Sequence, residues 1–227
     1  GAVIQNLVLP GTDGKYYEIV VGADGGNSLV RRQFFPDTAI RQYVAVQEWY
    51  EEDGQSPFYG ALFDRELTDC YGWLISKNQR LVLGAAFPRQ DAARRFDLLK
   101  ERLESRGVYF GRRVRREGCI VCRPEGVRQF CTGGNGVFLL GEAAGFISPS
   151  SLQGISYALD SGALLAKALK PGLEDAEKRY AALTAALRRQ LRGKLLKNPV
   201  LYTPWIRKLI LNTGIGSMDV ESGDTSN

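Results

Sequence analysis

A carboxylate surrounded by small and turn-forming residues lies between an apolar run and a helical pattern in residues 136–154. The carboxylate is Glu142, and the residues around it are Gly141, Ala143, Ala144, Gly145, Pro149 and Gly154. The pattern predicts a buried strand that turns sharply into a helix with an open N-terminus. Such a terminus stabilises an anionic or electron-rich ligand, and Glu142 could accept hydrogen bonds from ligand hydroxyls. An ordinary strand-to-helix turn is the alternative for this segment alone.

A second segment of the same kind lies far upstream. A β-branched pattern over residues 17–21 leads into Asp24 and Gly25, and a short helical start carrying Arg31 follows. Residues without long side chains let the backbone approach a large flat ligand closely. The two segments together favour one shared ligand site over two unrelated turns.

Several classes of chemistry are excluded by composition. The 227 residues include no histidine, which excludes Ser-His-Asp and Cys-His catalysis and the usual zinc hydrolases. The four cysteines are too few and scattered for a disulfide scaffold. Cys119 and Cys122 form a CxxC in a predicted strand, where this spacing sends the thiols to opposite faces. We therefore predict no metal site and expect acid–base chemistry from carboxylates, Tyr, Lys, Cys or a cofactor.

The elements between the two segments predict an antiparallel sheet that forms the wall of a substrate site. Its strands are short runs rich in aromatic and β-branched residues at 43–50, 58–63, 70–75, 81–87 and 114–122. Asp91 is predicted to cap a helix carrying Phe96, Leu99 and Leu103, which Gly107 ends. The sequence thus predicts an α+β fold with further helices near the C-terminus.

The two segments also resemble a known superfamily. Gly-Ala-Asp-Gly-x-x-Ser-x-Val-Arg ends at Arg31, and Gly-Glu-Ala-Ala-(x)4-Pro-(x)4-Gly-(x)3-Ala begins at Gly141. In this order they are similar to the two downstream FAD motifs of flavoproteins related to para-hydroxybenzoate hydroxylase. Within that superfamily the chain resembles the geranylgeranyl-reductase-like oxidoreductases over about residues 17–170. The resemblance implies a truncated FAD/NAD(P)-binding fold of the para-hydroxybenzoate hydroxylase type, with NAD(P)H as one candidate electron donor.

The resemblance also implies a set of FAD-binding residues. Asp24 would support the ribityl chain, Glu142 would hold a ribityl hydroxyl, and the helix after Pro149 would point its N-terminus at the pyrimidine edge of the flavin. Many relatives have Asp at the position of Glu142, which leaves the partner of this longer side chain open. The full set is Asp24, Gly25, Arg31, Gly141, Glu142, Ala143, Ala144, Gly145, Pro149 and Gly154.

Two aromatic residues carry the resemblance to the reductases into the predicted sheet. Tyr71 and Trp73 match a Tyr-x-Trp-x-Phe-Pro run that lines the prenyl cavity of geranylgeranyl reductases, but Ile75 and Ser76 stand where Phe-Pro would be. On one strand face they would make an apolar wall beside the flavin. Packing of the sheet against a helix is the equally weighted alternative.

The Gly-x-Gly-x-x-Gly turn that opens such flavoproteins is not found in the chain. We therefore expect a fragment of a longer flavoenzyme, inactive and unable to hold FAD tightly by itself, although natural loss of that unit is an alternative. The predicted divisions are FAD-domain segments at 1–37 and 129–172, a substrate sheet at 38–128, a basic helical region at 173–216 and a disordered tail at 217–227.

The positive charge of the chain is concentrated near its C-terminus. Residues 178–218 hold nine Lys or Arg and no acid, so removing them would change the formal net charge from +5 to −4. Leucines at 183, 187, 191 and 195 form a stripe that either packs on the body or accompanies a basic surface for anionic lipids. We expect a cytoplasmic protein without a nucleic-acid partner. Peripheral contact with a membrane through this basic surface is an alternative, and the sequence does not indicate the oligomeric state.

These observations together predict an FAD-dependent oxidoreductase that reduces C=C bonds of an isoprenoid-like or other apolar small molecule. A flavin monooxygenase or halogenase on the same scaffold is one alternative. A non-catalytic module that has lost its cofactor is another.

Overall fold

The computed structural model describes residues 19–52, 56–196 and 202–203. Its described residues form two sheets. In order across each sheet, the strands of the smaller one are 20–22, 137–139 and 133–134, and those of the larger one are 58–62, 72–77, 80–88, 41–51 and 113–123. Helices pack on both, which confirms the predicted α+β class. Residues 1–18, 53–55, 197–201 and 204–227 lie outside the described residues, and with them the predicted tail at 217–227 and parts of the predicted segments at 1–37 and 173–216.

The smaller sheet brings together two segments that lie more than a hundred residues apart in the sequence. Strand β1 (Val20–Gly22) pairs in parallel with β8 (Val137–Leu139), which pairs antiparallel with β7 (Gly133–Gly134). All three residues of β8 are buried, as expected for a short apolar run covered on both faces. Helix α1 (Leu29–Phe34) follows β1. This parallel pair places the residues that directly follow β1 next to those that directly follow β8.

The larger sheet is antiparallel throughout. It contains β2 (Arg41–Glu51), β3 (Phe58–Leu62), β4 (Gly72–Lys77), β5 (Arg80–Pro88) and β6 (Arg113–Arg123). All five predicted strands are present, with bounds shifted by only one or two residues. Side chains alternate in β2: Val44 and Val46 face one core cluster, whereas Tyr43 and Ala45 face another. The latter face is directed toward the small sheet.

Helix α2 (Ala92–Glu104) covers the other face of the large sheet, where Phe96, Leu99 and Leu103 are buried, as their helical spacing predicts. Gly107 follows with φ of 87°, which places the chain reversal after the helix on a glycine. The predicted cap was wrong: Asp91 stands at the N-cap position, but in a left-handed conformation with φ of 58°, and its side chain makes no capping hydrogen bond.

Three helices complete the described chain: α3 (Ile155–Leu169), α4 (Ala176–Leu183) and α5 (Ala185–Leu195). The leucine stripe packs on the body, since Leu187 and Leu191 are buried in the core around β1 and β8 and Leu195 packs against it. Arg189 and Arg192 are exposed on the same helix. Within the described ranges no helix is both long and apolar enough to cross a membrane.

Candidate functional site

The two predicted motifs meet at the same edge of the small sheet. Val20 pairs with Val137 and Gly22 with Leu139, so β1 and β8 end side by side. A 3₁₀ turn at Gly25–Asn27 follows one strand and another at Gly141–Ala144 follows the other. The carboxyl ends of parallel strands are where ligands bind in open α/β sheets. The predicted sharp turn from β8 into a helix was wrong, because this 3₁₀ turn and a loop precede α3.

Asp24 holds the start of helix α1. Its Oδ2 atom accepts hydrogen bonds from the backbone N–H groups of Leu29 (2.7 Å) and Val30 (3.4 Å), while the Oγ of Ser28 accepts from the N–H of Arg31 (2.9 Å). A carboxylate at this position satisfies amides that have no partner within the helix. Gly25, with φ of 69°, faces open space, since a Cβ there would meet nothing within 4 Å. The surface beside this turn is therefore accessible to a ligand.

The guanidinium of Arg31 connects the two motifs. It is 6% exposed and donates to the carbonyl oxygens of Ala143 (2.7 Å), Gln129 (2.7 Å) and Thr38 (2.6 and 3.1 Å). Burial lowers the pKa of Arg31 from its usual value, opposed by nearby thiols. The residue was predicted to bind the cofactor; the structure shows its donors bonded to protein carbonyls, so it joins α1 to the Glu142 turn and to the segments at Thr38 and Gln129.

Glu142 lies between the Asp24 turn and strand β6. Its Oε1 accepts a 2.5 Å hydrogen bond from the backbone N–H of Cys122, and a Cβ on Gly26 would lie only 2.6 Å from the same oxygen. Burial raises the pKa of Glu142, and the bond from Cys122 partly opposes that rise. Among the described residues no group hydrogen-bonds to Oε2. One carboxylate oxygen is thus fixed by the protein and the other is left for a ligand.

The loop before α3 presents the open helix terminus that the sequence predicted. Pro149 is buried within it, and Gly154 precedes the helix without offering a side-chain cap. Ile155 is 82% exposed at the first helical position, and no side chain among the described residues caps the first backbone N–H groups of α3. At the other end of the loop, Gly145 has φ of 77° and a Cβ there would lie 2.4 Å from the Gln129 carbonyl oxygen. Only glycine fits at that approach.

Two tyrosines hold this loop. The hydroxyl of Tyr71 donates to the carbonyl oxygen of Ser151 at 2.7 Å, and that of Tyr202 donates to the carbonyl oxygen of Ser150 at 2.7 Å. Tyr71 is half-buried, and its ring lies 5.9 Å from that of Trp73. Its hydroxyl therefore attaches the large sheet to the loop, a role that the sequence did not reveal.

A cavity of about 630 Å³ opens beside the loop, on the face of the large sheet directed toward the small one. It is lined by Ala45, Gln47, Trp73, Glu117, Gly118, Cys119, Val121 and Leu152. Of the two predicted substrate residues, Trp73 lines it and Tyr71 contacts its wall. Gln47 and Cys119 were not predicted from the sequence, because their place on this face depends on the register of β2 and β6, which the structure shows.

The CxxC behaves as its spacing predicts. Cys119 is exposed on the cavity side of β6, whereas Cys122 is buried. Burial and the neighbouring Glu142 raise the pKa of Cys122 to about 12. Its Sγ donates to the carbonyl oxygen of Gly26 at 3.0 Å, which adds a further tie between β6 and the Asp24 turn.

Comparison with curated proteins finds relatives named Protein CbrA. No protein-family model matches. Protein CbrA of Escherichia coli O9:H4 (strain HS) is 46% identical over 196 residues, which cover 86% of this chain and 54% of that protein. Protein CbrA of Shigella sonnei (strain Ss046) is 45% identical over 86% of this chain and 55% of its own length. The chain thus spans about half the length of the curated relatives it matches.

Solved structures share the fold at low sequence identity. A geranylgeranyl bacteriochlorophyll reductase-like protein from Thermoplasma acidophilum superposes with a TM-score of 0.68 at 17% identity, covering 90% of this chain and 55% of that one. The flavin-dependent halogenase CmlS gives 0.53 at 17%, with 81% and 37% covered, and the tetracycline destructase Tet(51) gives 0.53 at 15%, with 91% and 63%. The chain therefore has an α+β fold of the kind found in FAD-dependent oxidoreductases.

Proposed function

We propose that this chain is the part of an FAD-dependent oxidoreductase that contacts the flavin ring and the substrate, and that the enzyme reduces C=C bonds of an isoprenoid-like or other apolar molecule. One observation carries the proposal: the Asp24 and Glu142 turns follow the neighbouring strands β1 and β8, and strand β6, whose Cys122 bonds to Glu142, lines the adjacent cavity with Val121. The fold shared with flavin-dependent enzymes supports it.

The residues present fit a flavin. Gly25 leaves its surface open, Glu142 keeps one carboxylate oxygen for a ribityl hydroxyl, and the first N–H groups of α3 can receive the negative charge of a reduced ring. Gly141, Ala143, Ala144 and Gly145 were predicted to contact the cofactor, but all four are buried, with Ala143 and Ala144 in the core around β1 and β8, so they support the Glu142 turn from below. Arg31 bonds to the same turn through the Ala143 carbonyl oxygen. When bound, FAD supplies hydride transfer. NAD(P)H is the proposed electron donor.

The cavity is the proposed substrate site. Its apolar lining comes from both sides: Ala45, Trp73 and Val121 from the large sheet and Leu152 from the loop before α3. Because that loop also carries the helix terminus proposed for the flavin, a molecule in the cavity would lie next to the ring. Tyr71 and Trp73 supply the aromatic wall that an unsaturated hydrocarbon chain favours.

Flavin binding by the complete gene product tests the cofactor. We expect the purified protein to show the visible absorbance of bound flavin, and Glu142→Ala to lose most of it because the ribityl contact is removed. Glu101→Ala, on the exposed side of α2, is the matched control and should keep the wild-type flavin content. A colourless wild-type protein that takes up no FAD would show that the proposal is wrong.

Oxygen dependence tests the reaction. Reduction of a polyprenyl substrate by the flavin-loaded protein under anaerobic conditions would support the reductase. NAD(P)H oxidation in air that accelerates only when substrate is present would instead indicate a monooxygenase or halogenase and contradict the reductase. The two outcomes are distinguished by supplying the same substrate with and without oxygen.

The proposed localisation is cytoplasmic, with peripheral contact to anionic lipid through the basic C-terminal region. Arg189 and Arg192 are exposed on α5, while Leu187 and Leu191 on the same helix are buried and unavailable to a membrane. Co-sedimentation with phosphatidylglycerol vesicles tests the contact. Binding that salt does not weaken, or no binding at low salt, would argue against it.

A further inference from the structure

The indole of Trp73 lies across strand β5 at a position that has no side chain. Trp73 on β4 pairs with Gly84 on β5, and Gly84 pairs in turn with Gln47 on β2, so the three residues form one row across the sheet. A Cβ on Gly84 would lie 2.3 Å from Cε2 of the indole and 2.4 Å from its Nε1. The missing side chain is what allows the ring to reach over β5.

The ring reaches Gln47. The Nε1–H of Trp73 donates a 2.7 Å hydrogen bond to Oε1 of Gln47, and both residues line the cavity. This bond uses the amide oxygen and so fixes the orientation of the amide group. Among the described residues no acceptor pairs with the amide nitrogen of Gln47. The cavity therefore contains a donor group of set direction.

The rest of the lining makes this donor distinctive. Ala45, Val121 and Leu152 are apolar, and the carboxylate of Glu117 is paired with Arg115. A wholly hydrocarbon ligand would bury the Gln47 amide without a partner, which is unfavourable. A ligand with one oxygen acceptor at the right point of an apolar skeleton would satisfy it.

We propose that the cavity binds an apolar molecule with one hydrogen-bond acceptor, a hydroxyl or carbonyl oxygen, which the Gln47 amide recognises, and that Gly84 is the positioning residue for this recognition. Identifying this ligand as the substrate rests on the proposed oxidoreductase function. The binding preference itself does not, because it depends only on the cavity.

The experiment compares farnesol with the corresponding C15 hydrocarbon that lacks the hydroxyl. Each is titrated against the complete gene product, without added FAD, by displacement of bound anilinonaphthalene sulfonate. We expect wild type to bind farnesol about tenfold more tightly than the hydrocarbon, as one hydrogen bond allows. Gln47→Leu should abolish the preference, and Gly84→Ala should weaken it by displacing the indole. Gln90→Leu, at an exposed loop position, should keep it.

Equal binding of both probes by wild type would overturn the proposal, as would a preference that survives Gln47→Leu. Displacement by neither probe would overturn it too, since the cavity would then not accept such a ligand. The melting temperature of Gln47→Leu, compared with Gln90→Leu, shows whether the variant remains folded. FAD uptake measured separately reports on the oxidoreductase, so the two proposals can fail independently.

Discussion

The guanidinium of Arg31 donates a 2.7 Å hydrogen bond to the carbonyl oxygen of Ala143, and so joins the Asp24 turn to the Glu142 turn across 112 positions of sequence. The same group also binds the carbonyl oxygens of Gln129 and Thr38. The Glu142 turn cannot shift without breaking a bond to a buried charge, and Arg31 itself lies on α1, whose start is held by Asp24. The geometry of the candidate site therefore depends on one side chain that faces away from any ligand.

Replacing Arg31 should be costly. Arg31→Met leaves three carbonyl groups without donors, and we expect the free energy of unfolding to fall by about 3 kcal/mol, measured by urea denaturation. Arg32→Ala is the matched control, because Arg32 is exposed and bonds only within its own segment, to Asn27. Equal destabilisation by both variants would contradict the role given to Arg31.

Glu142 should make stability fall as pH rises above the usual carboxyl range. Its pKa is raised in the folded state, so the folded protein holds the proton more tightly than the unfolded chain between the ordinary and the raised value. The stability that protonated Glu142 contributes at low pH is therefore lost as pH rises from the ordinary carboxyl pKa through the raised one. Glu142→Gln removes the titration and keeps an acceptor for the Cys122 N–H. The free energy of unfolding of Glu142→Gln relative to wild type should increase with pH and then level off. Denaturation curves at several pH values measure this difference.

Tyr71→Phe should loosen the loop before α3. The variant loses the hydroxyl that donates to the Ser151 carbonyl oxygen but keeps the ring that packs against Trp73. We expect a loss of about 1 kcal/mol in the free energy of unfolding. Hydrogen exchange should become faster at residues 148–153, while the large sheet is unchanged. Tyr109→Phe, at a side chain 82% exposed, is the control; faster exchange in both would refute the loop-specific effect.

Cys119 should be alkylated before Cys70 and Cys122, but slowly. Cys119 is the exposed residue of the three. Partial burial and the nearby Glu142 nevertheless raise the pKa of its thiol, so little thiolate exists at neutral pH. Cys70 and Cys122 are buried, with pKa values raised to about 11 and about 12. Peptide mapping after brief iodoacetamide treatment should find Cys119 modified ahead of these two, at a rate below that of glutathione. Cys119→Ser should leave the early modification absent; prior labelling of Cys70 would count against this arrangement.

Leu191 should be one of the costliest leucines of α5 to truncate. It has no exposed surface and packs in the core around β1 and β8. Leu191→Ala should lower the free energy of unfolding by about 3 kcal/mol, by lost burial and a cavity. Leu196→Ala, at a side chain 79% exposed, should change it little. A small effect at Leu191 would reopen the lipid-facing interpretation of the leucine stripe.

Periodicity predicted the regular elements well, since local pattern alone decides which face of a strand or helix is apolar. The five strands of the large sheet and the Phe96–Leu103 stripe of α2 followed from it. The apolar runs before Asp24 and Glu142 likewise predicted that each residue follows a buried strand.

Relations between elements could not be predicted in this way. The partners of Arg31 come from three separate segments, and the Gln47–Trp73 bond depends on strand register and on the absence of a side chain at Gly84. The predicted helix cap by Asp91 was wrong because its backbone has a left-handed conformation, which the preference of Asp for N-cap positions does not reveal.

The hydroxyls of Tyr71 and Tyr202 make the loop before α3 a shared wall, touched on one side by the cavity and continued on the other into the helix terminus. When a ligand at one site changes the affinity of another, the linkage between them is reciprocal. A ligand that tightens the wall would alter the affinity of the helix terminus for negative charge, and a change of charge there would alter ligand affinity by the same factor. With flavin at that terminus, substrate occupancy would shift the reduction potential.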